Sequence, residues 1–201
     1  MAQSLGRREQ NRLAVRERLL QAAIDRLSVK PLEDVTVEAL SERAGVSRKT
    51  FYNHYRSRQD VIEAVSQRLL MDQSEKNYAI AMSRYPGTRE RLECFLTLQG
   101  RNLSDQPLLE RNLIRYAMLD LSLDGGRSRA KLEQTVVLYE RMFSAGRVLG
   151  DLNEHYSPRF LAEMVAGALN TSAIHWIHFP DYPLNERYKE LKQLLLDIAL
   201  Q

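Results

Sequence analysis

Apolar positions recur along this chain at spacings of three and four, with polar and charged residues between them, and no stretch shows the period-two alternation of a half-buried strand. The pattern predicts an all-α protein. A first helix is expected from about Glu9 to Leu27, with Leu13, Leu20, Ala23, Ile24 and Leu27 on one face. Lys30-Pro31 then marks a turn, because proline disfavours helical backbone in the residue before it. Val37, Leu40 and Ala44 define a short amphipathic helix, with Thr36 as its N-cap and Glu38 in the first turn, where the dipole favours negative charge. Gly45 ends it as a left-handed residue does, and Ser47 caps a second short helix from Arg48 to about Tyr55. Two short helices joined by a tight glycine turn form a helix-turn-helix.

Six longer helices follow. Ser57 caps one that begins near Gln59, carries Val61, Ile62, Val65, Leu69 and Leu70, and reaches the vicinity of Met82 before Tyr85-Pro86-Gly87 breaks the chain. The next starts at Thr88 and buries Leu92, Phe95 and Leu96; another starts near Pro107 and runs to about Leu121. The remaining three are expected at about Ser128–Ser144, Pro158–His178 and Leu184–Leu200. The result is a three-helix head over residues 1–58 and a six-helix body over residues 59–201.

The second helix of the pair carries the candidate chemistry. Phe51 and Tyr55, four apart, share an inward face, which leaves Arg48, Lys49, Thr50, Tyr52, Asn53 and His54 outward. Cations, a hydroxyl, a phenol, an amide and an imidazole suit a major groove, where base edges present donors and acceptors and phosphates flank them. The same residues would also serve as a solvated face on a small helix, and the helix-turn-helix pattern alone leaves both readings open.

Thr36-Val37-Glu38-Ala39-Leu40, Ala44-Gly45-Val46-Ser47, Thr50-Phe51-Tyr52, Tyr55 and Arg58 together resemble the DNA-binding signature of the tetracycline-repressor (TetR) family of bacterial regulators. That signature runs T-V-x-x-I-A-x-x-A-G-V-S-x-x-T-x-Y-x-x-F-x-x-K. The departures are Leu40 for Ile, Ser41 for Ala, Tyr55 for Phe and Arg58 for Lys, and none removes a donor. The resemblance implies a repressor that binds double-stranded DNA at a palindromic operator as a homodimer and is released by a small-molecule effector in the body. It implies that Thr36, Tyr52 and Arg58 grip the phosphate backbone; the outward Arg48, Lys49, Thr50, Asn53 and His54 are then the candidates to face bases, and Ser47 completes the DNA-binding set. The alternative is an architectural or protein-interacting DNA-binding member without an inducer, which a filled body core would favour.

Charge supports a nucleic-acid partner at one end. The net charge is +3, yet residues 1–58 hold twelve Lys and Arg against seven Asp and Glu, so the basic excess sits with the helix-turn-helix. Arg7 and Arg8 either reach a neighbouring groove or belong to a solvated tail. Cys94 is the only cysteine, which excludes an intrachain disulfide or a cysteine-based zinc site and fits a reducing cytosol. No apolar leader or membrane-length apolar run occurs, so a cytoplasmic protein away from membranes is expected. His175 and His178 have a spacing that could hold a metal, but no carboxylate or third histidine lies nearby, and a helix-end or interface role is the competing reading. No phosphate-loop, zinc-protease or nucleophile-elbow pattern appears, so neither catalysis nor a cofactor or metal is expected.

Two further sets complete the sequence reading. Leu184, Tyr188, Leu191, Leu195 and Ile198 repeat as a heptad seam, and the preceding helix combines Leu161, Val165 and Leu169 with the small residues Ala166 and Ala173. Such a seam either packs on the body's own core or pairs with its copy across a two-fold axis, and the surplus apolar surface of both helices is assigned to a dimer interface. Candidate pocket linings in the body are Tyr78, Met82, Cys94, Phe95, Leu98, Tyr116, Met142, Phe143, His175 and Trp176, aromatics and methionines with a few polar handles that serve equally as plain core.

Overall fold

A computed structural model of the protein describes residues 6–105, 107–122, 126–179 and 181–200. Among them are nine helices, and the only strand-like pairing is an isolated antiparallel bridge between Leu152 and Leu200. They are α1 (Arg7–Leu27), α2 (Val37–Ala44), α3 (Arg48–His54), α4 (58–84), α5 (Thr88–Asp105), α6 (Pro107–Ser122), α7 (Gly126–Leu149), α8 (Pro158–His178) and α9 (Leu184–Ala199), with a short 3-10 turn at Leu32–Asp34. Helix α4 joins Arg58–Ser66 and Asp72–Arg84 through a π turn at Gln67–Met71.

The chain divides into two compact units, Met1–Leu69 with Gln106–Leu113, and Leu70–Asp105 with Ile114–Gln201. In the first, Leu19, Ala22, Ala23 and Leu27 of α1 are buried with Leu32, Val35, Leu40, Phe51, Tyr55, Val61, Ile62 and Val65. The buried face of α1 is therefore set by Leu19 and Ala22 as well as Ala23 and Leu27, while Leu13 lies 46% exposed. Burial of Val61, Ile62 and Val65 draws the first part of α4 into this unit, beyond residue 58.

In the second unit α7 and α8 pack along each other, α5 packs against α4 residues 72–84 and against α7, and α9 lies on α5 and α8. Their core contains Ala81, Leu92, Phe95, Leu96, Val136, Tyr139, Met142, Phe143, Leu161, Val165, Ala166, Leu195 and Leu196. The start of α5 is held by Asp151, whose carboxylate accepts from the Thr88 amide at 2.8 Å. Gly146 makes room there, since a Cβ on it would lie 2.5 Å from the hydroxyl oxygen of the fully buried Thr88.

Candidate nucleic-acid interface

Three side-chain caps set the geometry of the helix-turn-helix. Thr36 Oγ1 accepts from the Ala39 amide at 3.2 Å, Ser47 Oγ from Thr50 at 3.0 Å, and Ser57 Oγ from Asp60 at 3.1 Å. Between α2 and α3 the chain turns at Gly45, whose φ of +64° is left-handed; its amide donates to Glu42 and that of Val46 to Ser41, which is a Schellman closure. Arg43 ties α2 to α1 through Asp25 at 2.7 Å. Hydrogen bonds from Gln21 and Arg43 hold the Asp25 carboxyl below its ordinary range. The turn is thus fixed at both ends by local bonds, and α3 is presented as a rigid element.

On α3, Phe51 is fully buried and Tyr55 nearly so, which turns Arg48, Lys49, Tyr52 and Asn53 to solvent. Arg48 pairs with Glu38 of α2 at 3.1 Å, and both side chains are more than half exposed. Tyr52 stands edge-on against Phe51 with ring centroids 5.5 Å apart. Thr50 is half-buried, and its hydroxyl is engaged with that of Ser47 at 2.9 Å. His54, also half-buried, is held below the ordinary imidazole range by partial desolvation and by the guanidiniums of Arg12 and Arg16.

Arg58 is half-buried and bonded to backbone. Its Nη1 donates to the carbonyls of Leu32 at 2.9 Å and Val35 at 3.0 Å, which fastens the start of α4 to the 3-10 turn. The same turn is also held by Asn112 of α6, which is only 3% exposed. Its Nδ2 donates to Leu27 and Lys30 carbonyls, both at 2.8 Å, and its Oδ1 accepts from the Leu32 amide at 3.1 Å. Sequence reasoning missed Asn112, although an amide beside Leu109 and Leu113 on an apolar stripe is the signal that finds it.

The pocket candidates separate on burial. Phe95, Met142 and Phe143 are core, Trp176 is buried, and Tyr78, Met82 and Cys94 are partly buried against the core. Leu98 and Tyr116 are half-buried, whereas His175 is exposed and stacks with Phe179 and Tyr182 at the end of α8. Two polar features were not singled out from sequence. One is a chain of bonds from Gln73 to Asn77, Asn77 to Gln99 and Gln99 to Ser74, with Asn77 buried. The other is Tyr139, which is buried with its hydroxyl lacking a hydrogen-bond partner among the described residues. Desolvation pushes both Tyr139 and the neighbouring Tyr188 above the ordinary phenol range.

The interface candidates largely face their own unit. Leu161, Val165, Ala166 and Leu195 lie in the core, and Leu169, Tyr188 and Leu191 pack against it. Leu184 and Ala173 are half-buried, and Ile198 is 40% exposed. The apolar residues left outside are Phe160, Met164 and Ile174 on α8, in line with Gly167 and Thr171, together with Leu194 and Ile198 on α9. Among the described residues no cluster of three or more His, Cys, Asp or Glu could hold a metal ion, and no helix is long and apolar enough to cross a membrane.

A capped helix-turn-helix presenting a basic, polar helix is the arrangement expected of a DNA-binding head. Residues 19–65, which span the helix-turn-helix, match the family described as bacterial regulatory proteins, tetR family. No curated protein sequence matches the chain. Among solved structures, SmeT, the repressor of the Stenotrophomonas maltophilia multidrug efflux pump SmeDEF, is similar with a TM-score of 0.75 at 19% identity, covering 92% of this chain and 90% of that one. A SmeT–triclosan complex gives 0.70 at 19% identity over 94% and 92% of the two chains. Thermus thermophilus FadR, a TetR-family transcriptional repressor in complex with lauroyl-CoA, gives 0.70 at 23% identity over 90% and 93%. At these identities the likeness concerns the fold.

Proposed function

We propose that the protein is a homodimeric, cytoplasmic repressor whose two α3 helices read the half-sites of a palindromic operator and which a small molecule bound in the second unit releases. The observation that carries this reading is the exposed set Arg48, Lys49, Tyr52 and Asn53 on a helix fixed by the Ser47 cap and the buried Phe51. Arg48 and Lys49, at the start of α3, have the reach and donors to bridge the two acceptors of a guanine edge. Contact with DNA gives Arg48 a stronger partner than Glu38, because an exposed ion pair is worth only about 0–1 kcal/mol.

Two copies meet through the apolar stripe of α8 and the outer residues Leu194 and Ile198 of α9, which holds the heads at half-sites roughly 34–36 Å apart. The effector is largely apolar with one hydrogen-bonding group, for which the buried Tyr139 hydroxyl is the handle. Its affinity must differ between the DNA-binding and released conformations, since only a differential affinity shifts an equilibrium. A second reading, a DNA-binding member without an inducer, is favoured by the complete burial of Phe95, Met142 and Phe143 in the core of the second unit.

Selection of duplexes from a random library by the full chain, followed by sedimentation of the complex, tests the proposal. The expected product is a two-fold symmetric motif bound by an even number of chains. Arg48→Ala should cost about 1–3 kcal/mol at one position of each half-site and relax preference there. An unchanged motif would remove Arg48 from base reading, and no enrichment at all would remove the proposal.

A further inference from the structure

The first half of α1 has no counterpart in the segment that matches the family, which begins at Leu19. It holds Arg7, Arg8, Arg12, Arg16 and Arg18 against only Glu9 and Glu17. Glu17 is occupied by Arg68 at 2.6 Å, and Glu9 approaches Arg12 at 3.7 Å between largely exposed side chains, a pair of little worth in water. Arg8, Arg12 and Arg16 are all exposed and follow one another at intervals of four, so they form a row along one face of the helix, with about 6 Å of rise per step.

The position of the row follows from what it touches. The Arg16 guanidinium lies 5.1 Å above the ring of Tyr55, the residue that ends the recognition helix. That contact orients a long side chain that would otherwise sample many rotamers. Arg12 and Arg16 are also the two cations that act on the His54 imidazole, so both stand beside the last turn of α3. A row of cations along the edge of a groove-reading helix faces the strand that borders the groove, where the partners are phosphates.

We propose that Arg8, Arg12 and Arg16 on the first half of α1 form a second DNA-binding surface, which clamps backbone phosphates beside the groove read by α3. The inference rests on the DNA-reading role proposed above. It assigns a sequence-independent function to these residues, since phosphate contacts add affinity and register but read no bases. Each cation that neutralises a phosphate releases counterions and steepens the salt dependence by about 0.9 in log–log slope.

The test is a salt titration of the full chain on two probes, a duplex selected by the wild-type protein and a fixed random duplex. Arg12→Ala with Arg16→Ala should weaken binding to both and reduce the slope by about 2, with the selected motif unchanged. Arg12→Lys with Arg16→Lys keeps the charge while removing the planar stack on Tyr55, and should restore most of the slope. If wild type selects a duplex but the double-alanine variant shows the same affinity and slope, the row does not touch DNA and the inference is overturned, while α3 remains the reader. A slope lost equally in the lysine variant would mean that the arginines act by holding Tyr55, which also overturns it. If wild type itself selects no duplex, the underlying reading fails, and this inference with it.

Discussion

Arg58 is engaged by backbone of its own unit at a position that the resemblance assigns to the phosphate backbone. By resemblance it stands where the family places a phosphate-gripping lysine, yet its Nη1 is shared between the carbonyls of Leu32 and Val35. One guanidinium nitrogen serves both carbonyls because Nη1 carries two hydrogens. Hydrogen bonds to a charged group are worth about 1.5–3 kcal/mol each when partly buried, so Arg58→Ala should lower unfolding stability by about 1–3 kcal/mol. It should leave the salt slope of DNA binding within about half a unit of wild type. Denaturant unfolding beside a salt titration separates the two roles. Unchanged stability with a slope reduced by about 1 would return Arg58 to the phosphate backbone. Neighbouring Thr50 is half-buried with its hydroxyl engaged by that of Ser47, so the proposed base contacts rest on Arg48, Lys49 and Asn53.

At the scale of helices, what was legible in the sequence was what local bonds determine. Thr36, Ser47 and Ser57 announce their helices because a cap is a bond to the amide three residues on, and Gly45 announces a turn because its φ of +64° suits glycine. The π turn at Gln67–Met71 left no comparable mark, since it inserts no proline or glycine into the α4 pattern. Periodicity also finds a face without saying what covers it. The seam of Tyr188, Leu191 and Leu195 is a true apolar face, but it packs within its own unit, whereas Leu194 and Ile198 are the exposed ones. The proposed dimer surface therefore centres on α8, where Gly167 lies between exposed Met164 and Ile174 and a Cβ on it would meet nothing within 4 Å. An exposed glycine inside a helix costs about 0.5–1 kcal/mol relative to alanine, and close approach of a second helix gives that cost a purpose. Gly167→Leu should consequently stabilise the isolated chain slightly while weakening self-association at least tenfold, as read by sedimentation over a concentration series. An equally tight dimer would mean that the copies pair through another surface.

Across the whole molecule, the two units share more than a single linker. Helix α4 has residues in both, dividing at Leu69, and α6 has residues in both, dividing at Leu113. Within the first unit these two helices converge on one short turn: Asn112 of α6 accepts from the Leu32 amide, while Arg58 of α4 donates to the Leu32 carbonyl. Asn112 also holds the carbonyls of Leu27 and Lys30, at the end of α1. The buried amide cannot shift without leaving three backbone groups unpaired, each at about 1–3 kcal/mol. Spatial intermediacy alone does not establish coupling, whereas a double-mutant cycle measures it. Asn112→Ala, Arg58→Ala and the pair should deviate from additivity in unfolding free energy by about 0.5–3 kcal/mol, since both side chains restrain the same residue. Hydrogen exchange should show the Leu32 amide losing protection in Asn112→Ala, while amides in the middle of α1 keep theirs. A release of DNA that runs through α6 predicts that Asn112→Ala also blunts the response to a small molecule that dissociates the wild-type complex. Additive energies together with an undiminished response would place the coupling elsewhere, with the π turn of α4, where the units divide, as the next element to test.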